Sequence, residues 1–263
     1  MSDHSKPVVP VSIFEHPMTE RMRSFLRLES VLGSTHTLVQ HTQPDFSRAA
    51  LAMLLELAAL SERGEIKRDI LSELERQRIV LSSLREQAGI DDQRLRSTLS
   101  ALEHEQHSVE SLPERVGQRL KSNDFITAVR SRSSIPGGTC SFDLPSLHCW
   151  LTRPEAERLK DLSHWYEEFT PIASAVKLLL KHIREATESS AVRAVGGIYE
   201  YQPPSENPPV LLRINLPAHS KLYPMVSGGK HRVTIQFHHW NGVDARDEVQ
   251  RRDIDFELAF CRL

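Results

Sequence analysis

The stretch Arg132–Leu151, RSSIPGGTCSFDLPSLHCWL, interrupts a chain whose sequence pattern is otherwise mostly helical before residue 190. It holds a Pro-Gly-Gly sequence at Pro136–Gly138 and a second proline nine residues later. Such residues favour turns, because proline fixes φ and glycine accepts conformations that other residues avoid. We therefore predict that residues 132–150, called the crossing segment below, form a fixed crossing between two structural layers. Its strand candidate is Thr139–Phe142, of which we expect Cys140–Phe142 to join a later sheet.

Upstream of the crossing segment, apolar residues recur at helical spacing. Pro17 and Glu20 favour a helix start, and an apolar stripe continues from there to Leu32. A second helix is predicted to begin near Asp45 or Ser47, either of which can cap it, and to end near Gly64. Both patterns are typical of amphipathic helices that cover a core.

A third helical pattern predicts a long hairpin. Residues 66–88 keep a three-four alternation of apolar positions, Gly89 interrupts it, and residues 95–109 resume the same period. The apolar seam of such a hairpin needs a partner. Two alternatives remain open at this point: other helices of the same subunit, or a second subunit in a dimer.

Beyond the crossing segment the period changes. Helices are predicted from Pro154 to about Tyr166 and again from Thr170, because each start carries capping or first-turn residues. After Glu188 the pattern alternates with a period of two, which predicts half-buried antiparallel strands at 210–216, 232–237 and 254–260. The sequence SGGK before the second of these is predicted to be a hairpin turn.

A helical region followed by a strand region predicts an α+β fold. We expect a flexible N-terminus over residues 1–12, a helical domain over 13–190 and an antiparallel β-strand domain over 191–263. The crossing segment would contribute its strand to the β-strand domain and so join the two regions.

Composition excludes several classes of function. A formal net charge of −2 gives no general attraction to nucleic acid, and no apolar run reaches the roughly 20 residues that a membrane-spanning helix needs. The three cysteines include no CxxC pair, which favours a reducing cytoplasm over a disulfide framework or a zinc ribbon. One local basic patch leads into the crossing segment, and it is either a solvated helix face or an anion-binding rim: Arg115, Arg119, Lys121, Arg130 and Arg132.

Motifs that would indicate catalysis or metal binding are weak. His104 and His107 are three residues apart, whereas a helical zinc site of the HExxH type needs a spacing of four. Cys140, Asp143 and His148 are residue types suited to acyl transfer, but no nucleophile elbow surrounds them, and a small cysteine is more often a packing residue. We therefore predict no enzyme activity, no metal and no cofactor.

The chain resembles the ZapD family of bacterial cell-division proteins, and the matching blocks are collinear over nearly its whole length. The most specific block is the crossing segment, with SIPGG, SFDLP, LH and WL in that order. The remaining blocks are FEHP (Phe14–Pro17), MR and LR (Met22, Arg23, Leu26, Arg27), ERGE (Glu62–Glu65), LYP with SG, K and R (Leu222–Arg232), and DFELA (Asp255–Ala259).

This resemblance implies a homodimer that binds the C-terminal tail of the tubulin-like protein FtsZ and cross-links FtsZ filaments into bundles at midcell. Basic family positions implicated in partner contact fall on Arg27, His148, Arg63 and Arg232. Two further basic positions of the family fall on Asp124 and Gln236, so the pocket is either less positive here or uses Arg119, Lys121 or Arg130 instead. The alternative is a helical scaffold that docks a different partner through the apolar face of the hairpin.

Overall fold

The computed structural model describes residues 10–61, 65–86, 89, 91–229 and 232–262. The helices within these ranges are α1 (Glu20–Leu38), α2 (Pro44–Ser61), α3 (Ile66–Ser82), α4 (Asp92–Glu110), α5 (Gln118–Lys121), α6 (Asp124–Ser133), α7 (Pro145–Leu151), α8 (Glu155–Glu167) and α9 (Thr170–Glu185). The strands are β1 (Val11–Pro17), β2 (Ser190–Ala194), β3 (Ile198–Tyr201), β4 (Leu211–Pro217), β5 (Leu222–Gly228), β6 (Val233–His239), β7 (Glu248–Val249) and β8 (Ile254–Cys261). The predicted α+β fold is confirmed.

The chain divides into two compact units. One is helical and consists of residues 24–180, while the other combines the described residues before Ser24 with those from Lys181 onward. Residues 13–17, which the sequence pattern placed with the helices, lie in β1 and pair with β4 in the second unit. Of the N-terminus predicted to be flexible, residues 1–9 lie outside the described residues, and Val11 and Ser12 belong to β1.

The strand unit contains two antiparallel sheets. One has the order β1-β4-β8-β2, and the other has the order β3-β6-β5 with β7 beside β6. The inward faces of β4, β6 and β8 supply most of its apolar core, as their alternation predicted: Leu212, Ile214, Leu216, Val233, Ile235, Phe237, Ile254, Phe256 and Leu258. Each sheet therefore buries one face.

The hairpin predicted at SGGK joins β5 to β6, which pair with Gly228 opposite Val233. Gly228 has a φ of +136°, and a Cβ atom there would lie 2.2 Å from the carbonyl oxygen of Arg232. Only glycine fits this position without a backbone shift. Residues 230 and 231 of the turn lie outside the described residues.

The helical hairpin is formed by α3 and α4, which pack against each other. Asp91 caps α4 by accepting hydrogen bonds from the backbone N–H groups of Gln93 and Arg94, each at 3.0 Å. Lys67 of α3 donates from Nζ to the carbonyl oxygens of Glu110 (3.0 Å), the last residue of α4, and of Leu112 (2.5 Å), which follows the helix. These contacts fix the register of the two helices.

The apolar seam of the hairpin is covered within this chain. Ile70, Leu74 and Gln77 are fully buried, and Leu99 and Leu102 opposite them are nearly so. The amide of Gln77 donates to the carbonyl oxygen of Leu179 in α9 at 3.3 Å, so α9 lies against the seam. Of the two alternatives for the seam, the structure supports packing within the subunit.

The prediction of a strand at Thr139–Phe142 was wrong. Residues 134–143 form successive turns, in which the N–H of Gly138 bonds to the carbonyl of Ile135 (2.9 Å) and the N–H of Leu144 bonds to that of Cys140 (2.9 Å). These local bonds hold the stretch in turns, and none of its residues pairs with a strand of the described chain. The crossing segment thus stays within the helical unit and contributes no strand.

The second half of the crossing segment is the short helix α7, which begins at Pro145. Its Trp150 is buried, donates from Nε1 to Asp161 of α8 (2.9 Å), and lies 5.7 Å and 5.9 Å, centroid to centroid, from the rings of Phe125 and Trp165. This aromatic cluster attaches α7 to α6 and α8. It places the residues around His148 on a packed support.

Candidate partner-binding site

The two residues that the family resemblance emphasised most are both exposed in the helical unit. Arg27 lies on α1 and His148 lies on α7. Among the residues that the structure describes, neither side chain forms a hydrogen bond or an ion pair with another. Their polar groups are therefore available to a partner.

Three of the basic residues before the crossing segment lie on two short helices, Arg119 and Lys121 on α5 and Arg130 on α6. Arg119 is exposed on α5, while Lys121 and Arg130 line one small groove between α2, α5 and α6. The apolar part of this groove includes Leu55 and Ile126. The structure thus places Lys121 and Arg130 at the same groove.

The position of α5 depends on a residue that the sequence analysis missed. Glu168 is 8% exposed, and its Oε1 accepts a hydrogen bond from the N–H of Gly117 at 2.9 Å, directly before α5. Gly117 has a φ of +84°, and Phe169 packs against it. A carboxylate is favourable at the positive end of a helix, so Glu168 fixes the segment that carries Arg119 and Lys121.

The residue at one family basic position, Asp124, lies in the first turn of α6 and is exposed. A negative charge is stable there because the helix N-terminus is partly positive. Its carboxylate lies three residues from Lys121 in sequence and reduces the positive charge of this region. This end of the site is therefore less positive than the family pattern implies.

The other basic family positions, at residues 63, 232 and 236, add no residue to the groove of Lys121 and Arg130 in the part of the chain that the structure describes. Arg232 belongs to the strand unit, is largely exposed and forms an ion pair with Glu200, so its charge is partly neutralised. Gln236 lies on β6 opposite Met225 and Ile198. Arg63 lies outside the described residues.

The trio suited to acyl transfer is not assembled as a triad. The Cys140 thiol donates to Oδ2 of Asp143 at 3.5 Å, but no hydrogen bond among the described residues joins either group to His148. All three cysteines are free thiols. In the described part of the chain, no three metal-binding side chains come close enough together to hold a metal ion. His104 and His107 therefore belong to no such group.

The chain is an α+β protein with a helical unit and a strand unit of two antiparallel sheets, an architecture that does not by itself indicate a function. Comparison with known proteins assigns the chain to a family. The profile of the ZapD family, described as a cell division protein, matches residues 26–236.

Individual relatives agree over nearly their whole length. The chain is similar to the cell division protein ZapD of Vibrio vulnificus (strain CMCP6), with 33% identity over 94% of this chain and 98% of the relative. It is similar to the ZapD proteins of Azoarcus sp. (strain BH72) and Aromatoleum aromaticum, each with 34% identity, over 95% and 97% of this chain and 99% and 98% of those relatives. The chain belongs to the ZapD family, and its role is in cell division.

The relatives are named as cell division proteins and not as enzymes. Within the described ranges, no helix combines the length and the apolar character that a membrane span requires.

Proposed function

We propose that this protein binds the C-terminal tail of FtsZ and, as a homodimer, cross-links FtsZ filaments into bundles that support Z-ring assembly at midcell in the cytoplasm. The observation that carries the proposal is membership of the ZapD family over almost the full chain. The exposed side chains of Arg27 and His148 support it, because a guanidinium and an imidazole suit an acidic peptide.

The proposed mechanism combines electrostatic capture with avidity. A guanidinium can hold a carboxylate through two parallel hydrogen bonds, and His148 can add a donor when it is protonated. A disordered tail loses chain entropy when it docks, so each single contact is modest. A dimer offers two such sites, and filaments offer many identical tails, so high effective concentration makes the combined attachment much stronger than one contact.

The first prediction tests the partner and the site together. In filament pelleting, the protein should co-sediment with full-length FtsZ filaments and bundle them, whereas filaments of FtsZ without its C-terminal tail should leave it in the supernatant. The tailless filaments serve as the control for polymerisation, since they still pellet. Equal bundling of both kinds of filament would overturn the proposal.

The second prediction concerns salt. Raising the ionic strength from about 0.1 M to about 1 M shortens the screening length from roughly 10 Å to roughly 3 Å, so tail binding should weaken steeply. The scaffold alternative predicts little change, because hydrophobic docking persists at high salt. The scaffold alternative needs an exposed apolar face on the hairpin, whereas the apolar seam is buried within the chain. Tail-peptide affinity measured across a salt series would contradict charge-led capture if it stayed constant.

A further inference from the structure

A cavity in the helical unit is lined by Val129 and Leu147, the chain neighbours of Arg130 and His148. It has a volume of about 480 Å³ and lies between α2, the end of α6 and the turns of the crossing segment. We call it the crossing cavity. Its lining residues include Arg48, Leu51, Ala52, Val129, Ile135 and Leu147.

The lining of the crossing cavity has an apolar floor and a polar rim. Leu51, Val129 and Leu147 are between 1% and 4% exposed and form the floor. The rim consists of Arg48 with the hydroxyl groups of Ser133, Ser134 and Thr139, and none of the described residues that line the cavity is acidic. An apolar floor with one cation and several hydroxyl groups suits an aliphatic group that carries a carboxylate nearby.

Arg48 is held by the crossing segment but keeps part of its guanidinium available. Its Nη1 donates to the carbonyl oxygen of Thr139 (3.1 Å) and to Oγ1 of the same residue (3.2 Å). Its Nε and Nη2 form no hydrogen bond with any described residue. Two neighbouring N–H groups of a guanidinium are what a carboxylate needs for a bidentate contact.

The crossing segment also exposes large apolar side chains. Ile135, which lines the cavity, is 47% exposed, and Phe142 is 82% exposed. Ile135 therefore adds apolar area to the lining of the cavity. A larger groove between α1, α8 and α9, of about 1010 Å³, lacks this character, because its lining mixes Glu29 and Glu167 with Lys160 and Lys177.

We propose that the crossing cavity receives one aliphatic side chain of an acidic peptide, while a carboxylate of the same peptide binds the free edge of Arg48. The inference rests on the proposed function, since the peptide would be the tail that Arg27 and His148 help to hold. It adds an apolar determinant to a site otherwise defined by charge. An acidic peptide without a suitably placed aliphatic residue would bind poorly.

The test fills the cavity without disturbing the core. Ala52 is an exposed position on α2 that lines the cavity, and Ala59 is an exposed alanine two turns further along the same helix that does not. Ala52→Leu should lower the affinity for a fluorescent FtsZ C-terminal tail peptide by roughly tenfold or more. The new leucine would occupy the cavity, and the peptide would lose the binding free energy that it gains by burying an aliphatic side chain there. Ala59→Leu, with the same change in helix propensity and area, should bind like the wild type. Anisotropy titration measures both, and thermal unfolding checks that both variants are folded.

A change on the peptide side makes the test specific. A tail peptide with its aliphatic residues replaced by serine should bind the wild type about tenfold more weakly, yet bind Ala52→Leu no worse than the unmodified peptide does. If the wild type fails to bind the tail peptide, the proposed function fails and the inference fails with it. If the wild type binds and Ala52→Leu binds equally well, or if Ala59→Leu is weakened to the same extent, the inference alone is overturned.

Discussion

Replacing Arg27 by glutamate should abolish the bundling of FtsZ filaments while leaving the fold intact. Arg27 is exposed on α1 and is not engaged by any described residue, so its substitution removes no internal contact. Reversing its charge replaces an attraction for a carboxylate with a repulsion, which corresponds to a loss of roughly tenfold to a hundredfold per site. Because a cross-link needs both sites of a dimer, the loss applies twice.

The matched control is Arg96→Glu, at an arginine on α4 that is also exposed, and this substitution changes the net charge by the same amount. Co-sedimentation should be lost for Arg27→Glu and retained for Arg96→Glu, while gel filtration should show the same oligomeric state for both. Unchanged co-sedimentation of Arg27→Glu would contradict the assignment of Arg27. Equal loss in both variants would indicate a general charge effect instead of a site.

The parts of the fold that were predictable have strong periodicity. The α3–α4 hairpin and strands β4, β6 and β8 each repeat an apolar pattern over at least seven residues, so one face is specified at every step. Strands β2, β3 and β7 are five residues or shorter, which gives too few alternations to detect. β1 was missed because Pro17, here the last residue of the strand, equally suits the first turn of a helix.

The crossing segment shows where local signals mislead. Thr139 and Phe142 are good strand residues, but the Pro-Gly-Gly sequence before them bends the backbone into turns whose hydrogen bonds close on neighbouring residues. A strand also needs an edge to pair with, and the sequence contains no information about which edge is near. The turn signal, present in the same stretch, was the stronger one.

The candidate site was predictable only in part, because local sequence does not indicate which distant residues come into contact. Charged side chains in a matching family pattern could be located from the sequence, whereas contacts between distant residues could not. Arg48 bonds to Thr139 across 91 residues, and Glu168 bonds to Gly117 across 51. Nothing in the local sequence of either pair indicates the other member. The crossing cavity and the support of α5 both depend on such pairs.

Glu15→Gln should destabilise the strand unit more than the loss of any exposed ion pair. Glu15 of β1 accepts two hydrogen bonds from Arg184 at the end of α9, at 2.8 Å and 2.6 Å, and its Oε1 lies 3.2 Å from Nε of Arg213 on β4. The three side chains are only 18% to 25% exposed. One carboxylate therefore joins three elements and separates two cations in a place that water reaches poorly.

Glutamine keeps the shape of Glu15 and one acceptor, but it removes the negative charge that both guanidinium groups contact. Removing one partner from a buried pair costs about 3–5 kcal/mol, and the partial exposure here reduces the expected loss of unfolding free energy to about 2 kcal/mol. The matched control is Asp255→Asn, which breaks the exposed pair with Arg193, where the side chains are 60% and 72% exposed and solvent screens the charges. Urea denaturation followed by circular dichroism should show a clear shift of the midpoint for Glu15→Gln and almost none for Asp255→Asn. Equal midpoints would mean that Glu15 contributes no more than a surface charge, and that backbone pairing alone holds β1 on β4.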